Sequence, residues 1–123
     1  MSEVGAIYAR ELVSQCGLKA PVDLNALAIE LGLEVREEDS DSIEGALIRA
    51  KKQALGIIVV NKNILEVGRK RFTIAHEIGH FLIPNHGQAG VICNSEEIES
   101  YSPRIDPVEE EANQFAAELL IPY

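Results

Sequence analysis

The chain has 123 residues, 46% hydrophobic and 25% charged, which is enough for one domain around one core and too few for two. Its formal net charge of −9 disfavours direct nucleic-acid binding, because a polyphosphate partner needs a basic patch to displace its counterions. No run approaches the roughly 20 apolar residues of a membrane helix, and the N-terminus lacks the basic-then-apolar layout of an export signal.

The two cysteines, Cys16 and Cys93, form no Cys-x-x-Cys or Cys/His cluster, so neither a disulfide framework nor a structural zinc knot is expected. A soluble protein of the reducing cytoplasm, with no membrane partner, is the reading that fits.

Residues 3–16 carry Val4, Ile7, Tyr8, Leu12 and Val13 at helical spacing, with Gly17 where a helix would stop. A second, short helix follows Pro21-Val22-Asp23, with Asp23 as N-cap, Leu24, Leu27, Ala28 and Leu31 on one face, and Gly32 as terminator. Residues 33–36 alternate weakly, and the acidic run 37–41 reads as a turn. Residues 43–50 and 54–60 read as strands joined around Lys51-Lys52-Gln53, giving a small antiparallel or mixed sheet. Gly56-Ile57-Ile58-Val59-Val60 is continuously apolar and β-branched, as suits a central strand covered on both faces.

A helical pattern then runs over residues 64–83, and Pro84 forbids its continuation. Residues 85–107 are polar and rich in turn formers, a long loop with one short strand at 90–93. The last helix spans 107–121, with Asp106 placed to cap it and Pro107 at its first position. The expected class is α+β, a single domain over 1–123.

The chemistry is concentrated in His76-Glu77-Ile78-Gly79-His80. Two histidines four apart on a helix share a face about 5–6 Å apart at Cβ, so both rings can reach one ion. A glutamate directly after the first is free to take a proton from an activated water, which makes Glu77 the candidate general base. Zinc suits such a site, since three protein ligands leave one position open. All three histidines fall within residues 76–86, and the flanks Phe72, Ile74, Ala75, Ile78, Phe81 and Leu82 are apolar, which argues against two incidental surface histidines. Gly79 weakens the helix, and a close approach of another backbone or of substrate would account for it.

Two candidates compete for the third ligand. His86 has the spacing of the HExxHxxGxxH pattern, but Ile83 stands where that pattern needs glycine, and a β-branched residue resists positive φ. The other source is the last helix, whose apolar stripe is Val108, Ala112, Phe115, Ala116, Leu119 and Leu120. Glu110 points away from that stripe, Glu111 sits on one flank, and Glu109 on the other beside Asn113. Glu109 and Asn113, one turn apart, could supply a ligand and an amide that orients a zinc histidine.

RKRFTIA leading into HEIGH, together with EEEANQFAAELLIP over 109–122, resembles the ImmA/IrrE family of metallopeptidases. The resemblance covers most of the chain, including Pro21-Val22-Asp23 and the strand ending Val59-Val60-Asn61. It implies a small zincin-like domain with a gluzincin-like zinc centre of His76, His80 and Glu109, with Glu77 as base. It also implies a regulatory endopeptidase whose protein substrate is a helix-turn-helix repressor; a peptidase-like module that sequesters a repressor without cutting it is the alternative. Tyr101 and His86 are candidates for stabilising the oxyanion. The sequence stops at Tyr123, where family members usually continue, so a minimal or truncated domain is expected.

Overall fold

The computed structural model describes residues 4–39, 43–49, 55–83, 90–93 and 107–120. These form α1 (Val4–Cys16), α2 (Leu24–Glu30), β1 (Leu33–Glu38), β2 (Gly45–Arg49), β3 (Gly56–Asn61), α3 (Val67–Leu82), β4 (Gly90–Cys93) and α4 (Pro107–Leu120). The linker 51–53, Asp106, His86 and Tyr101 all lie outside the described residues.

The local signals act as the sequence suggests. Asp23 caps α2, its carboxylate accepting from the Ala26 N–H at 3.0 Å. Gly17 and Gly32, after α1 and α2, adopt φ of 61° and 85°, which a side chain would resist. Helix α3 ends at Leu82, and Ile83 is already extended at φ −78°, ψ 126°.

The strands order as β1-β3-β2-β4. β2 is antiparallel to both β3 and β4, while β1 runs parallel to β3, pairing Leu33 with Gly56 and Glu38 with Asn61. The sheet is therefore mixed: β2 crosses to the far side of β3, so consecutive β1 and β2 are not neighbours. The first strand also reaches further than its alternation suggests. Glu37 and Glu38, expected in a turn, continue β1 because an edge strand tolerates exposed charges. Strand β3 is central, but only Ile58 and Val60 are fully buried; Ile57 and Val59, on the opposite face, are half-buried.

Helix α3 lies against β2 and β3, and α4 packs across α3 on one side and α1 on the other. The core joins Leu47, Ile58 and Val60 of the sheet to Ile74, Ala75 and Ile78 of α3 and Phe115, Ala116 and Leu119 of α4. The buried seam of α1 is Gly5, Ala9 and Leu12, while Ile7, expected inward, is 54% exposed. Helices α1 and α4 approach so closely that a Cβ on Gly5 would collide with the Glu111 carbonyl, and a crossing this tight selects small residues over large ones. Among the described residues no helix is long and apolar enough to cross a membrane.

Candidate metal centre

Eight consecutive residues of α3, Thr73 to His80, are buried, so this half of the helix is surrounded by protein. The HEIGH segment lies within that stretch, and His76, Glu77 and His80 have no solvent exposure. Burying three ionisable groups in the middle of a core costs several kcal/mol unless each is compensated. For the two histidines the compensation comes from α4, which brings in Glu109 and Asn113, both 4% exposed.

The donor atoms converge. Glu109 Oε1 lies 2.9 Å from His76 Nε2 and 3.0 Å from His80 Nε2, and the two Nε2 atoms are 3.1 Å apart. The rings meet edge to face, with centroids 4.7 Å apart and planes at 84°, so two lone pairs aim at one point without the rings stacking. On its other side His76 Nδ1 lies 2.8 Å from Asn113 Oδ1. An amide oxygen only accepts, so Nδ1 carries the proton and donates it, which fixes the tautomer whose Nε2 faces the cluster.

Three such atoms within 3.1 Å of one another repel unless positive charge sits among them, either protons on the imidazoles or a metal ion. Burial alone would raise the Glu109 carboxyl, but the hydrogen bonds from His76 and His80, with their nearby charge, outweigh it and hold the group well below the usual carboxylate range. An anion kept ionised inside a core, facing two imidazole nitrogens, is a cation-binding donor set. A tetrahedral ion with ligands at about 2.0–2.2 Å would set its donors about 3.3–3.6 Å apart, a few tenths of an ångström wider than the spacing here. The residues therefore fit a metal ion with little adjustment.

Glu77 is not one of the converging residues. Its carboxylate lies instead against strand β2 at Gly45, where a Cβ would come within 3.0 Å of Oε2 and 2.6 Å of Thr73 Cγ2. Beside it, Glu44 accepts from Thr73 Oγ1 at 3.0 Å and pairs with Arg69 Nε at 2.8 Å, which ties β2 to α3 one turn before Glu77. Gly79 has a different explanation from the one expected. The neighbour is the Phe115 side chain, whose ring and Cβ atoms would lie 3.0–3.2 Å from an added Cβ, rather than backbone or substrate.

Of the candidates named from the sequence, the structure brings His76, His80 and Glu109 together, sets Asn113 behind His76, and leaves Glu110 and Glu111 outside the cluster. Gly45 and Arg49 were not anticipated, although a glycine inside an apolar strand is a sign of close approach. A groove of about 450 Å³ between α2, β1 and the first half of α3 contains none of the converging residues, so chemistry and not size marks the site.

The sequence profile of the IrrE N-terminal-like domain, a peptidase family, matches residues 28–123. The chain belongs to that family. Both HEIGH and the Glu109–Asn113 turn fall inside the match, so the IrrE-like domain contains the whole cluster, while α1 precedes it. No curated protein matches the chain.

Proposed function

We propose that this IrrE-like domain is a zinc-dependent endopeptidase of the cytoplasm, with His76, His80 and Glu109 holding the ion and Glu77 as general base. The observation that carries the reading is the meeting of two imidazole nitrogens and one carboxylate oxygen within 3.1 Å in a buried site. Zinc bound there supplies Lewis acidity, bringing a water's pKa to about 7 and polarising a carbonyl.

The chain's own residues do the rest. Asn113 holds His76 in the required tautomer through Nδ1. Glu77 takes a proton from the attacking water at its carboxylate and passes it to the amine as the peptide C–N bond breaks and the new C–O bond forms. We place an extended substrate strand along β4, which ends the sheet among the described residues and whose Cys93 pairs with Gly45, the residue that abuts Glu77. The substrate class proposed is a protein, a helix-turn-helix repressor, in line with the family resemblance.

The test is incubation of purified protein with a co-encoded helix-turn-helix repressor, with and without chelator, followed by mass analysis. Chelator-sensitive fragments are expected, and Glu77→Gln should slow cleavage about 10²–10⁴-fold while its zinc content stays at the wild-type level. A stoichiometric complex with no fragments, unchanged by Glu77→Gln, would overturn catalysis in favour of sequestration.

A further inference from the structure

We propose that Arg49 is a positioning residue for the metal centre, holding the last turn of α3, and with it His80, through that turn's carbonyl groups. The inference rests on the metal reading above and adds to it a residue from the sheet.

The need arises from covalent structure. In an α-helix each carbonyl accepts from the N–H four residues on. For His76 that donor is the N–H of His80, inside the helix. For His80 it would be residue 84, which is proline and has no N–H. The last helical bond among the described residues runs from the Ile83 N–H to the Gly79 carbonyl at 2.9 Å, so the His80 carbonyl is the first that the α-helical ladder does not serve. A metal ligand thus sits where a helix frays most easily, on a residue that is itself fully buried.

Arg49, the last residue of β2, supplies the missing donor. Its Nη2 donates to the His80 carbonyl at 2.6 Å and to the Phe81 carbonyl at 2.9 Å. The guanidinium carbon also lies 4.9 Å from the Phe81 ring centroid, so the same group grips the backbone and the side chain of one turn. A cation at a helix C-terminus is favoured by the helix dipole, and charge-assisted bonds in a part-buried setting are stronger than neutral ones. His76 is steadied on its ring by Asn113, and His80 through its main chain by Arg49; the two imidazoles reach one apex because each has its own anchor.

The test measures metal binding directly. Zn²⁺ affinity is read by competition with a chromophoric chelator, and ligand geometry from the visible spectrum of the Co²⁺-loaded protein. Arg49→Met, which keeps length and removes the donors, is expected to weaken Zn²⁺ binding about 10–100-fold and to alter the cobalt spectrum. Arg49→Lys, which retains cationic donors, should recover most of that loss. Leu12→Ala, a core truncation in α1, controls for destabilisation alone and should leave the affinity of the folded protein unchanged. If Arg49→Met does not fold, Arg49→Gln takes its place in the same assays. A folded Met or Gln variant with wild-type Zn²⁺ affinity and cobalt spectrum overturns the proposal, as does a Lys variant no better than Met. A wild-type protein that takes up no Zn²⁺ would sink the metal reading itself, a result distinct from either.

Discussion

The two halves of α3 share one helix and one kind of sequence, rich in polar residues, yet they do opposite things. In the first half Lys70 is partly exposed and pairs with Glu37 across to β1 at 2.7 Å, with 53% of the Glu37 side chain in solvent. In the second half His76, Glu77 and His80 have no exposure at all. Polar residues on a helix face normally cost nothing because water solvates them. Polar residues one and two turns later are enclosed by α4 and the sheet, and for His76 and His80 the contacts with Glu109 and Asn113 offset the cost. Burial, rather than residue type, separates a solvated face from a site.

The sharpest way to break this contrast is to remove the group that makes the buried half self-consistent. Glu109→Gln keeps the volume and removes the negative charge facing His76 and His80. The expected outcome is loss of stoichiometric zinc, measured as bound metal after desalting, with cleavage lost alongside it. Retention of one zinc per chain would mean that the carboxylate is not a ligand.

A smaller effect should follow from Asn113→Ala. The amide contacts the far side of the His76 ring and not the converging atoms, so both ring nitrogens and the carboxylate remain. Zinc affinity is expected to fall about 10–100-fold, the usual cost of losing a partner that orients a metal histidine. Chelator competition checks it, and an unchanged affinity would show that the tautomer is set elsewhere.

Gly79→Ala tests packing rather than ligation. Alanine favours a helix by up to about 1 kcal/mol over glycine, but its Cβ would sit 3.0 Å from Phe115 Cδ1 and 3.1 Å from Cγ. Phe115 is fully buried and has little room to yield. The overpacking should win, with a net destabilisation of about 1–2 kcal/mol in urea unfolding of the zinc-loaded protein. A stabilised variant would show that α3 and α4 separate easily.

Most of this arrangement could be read from the chain, for identifiable reasons. Spacing is local, so HEIGH predicts two rings on one helical face, and a 100° count around α4 separates Glu109 and Asn113 from Glu110. Caps and stops are local too, as Asp23 and Pro84 show. What depends on distant partners was harder to see. The parallel pairing of β1 with β3 follows from where β2 crosses, which no alternation pattern records. In α1 Val4, Tyr8, Leu12 and Val13 do join the core and only Ile7 turns outward, but the contribution of Gly5 and Ala9 is not legible because both score low in hydrophobicity, although close contact with α4 is what they permit. Arg49 looks like a surface cation at the end of a strand, and only its meeting with the end of α3 gives it a part.

The smallest expected effect completes the comparison from the other side. Lys70→Ala removes a contact as short as those in the metal centre, since Lys70 Nζ and Glu37 Oε1 are 2.7 Å apart. Distance alone would rank it beside the 2.9 Å approach of Glu109 to His76. Water decides otherwise: an exposed pair contributes about 0.2–1 kcal/mol, because solvent screens the attraction and both long side chains lose freedom in forming it. Lys70→Ala should therefore shift the urea midpoint only slightly, with that shift shrinking further in high salt, and leave zinc affinity at the wild-type value. A loss of metal on this substitution would mean that the two halves of α3 are coupled through the helix, and that the exposed half belongs to the site after all.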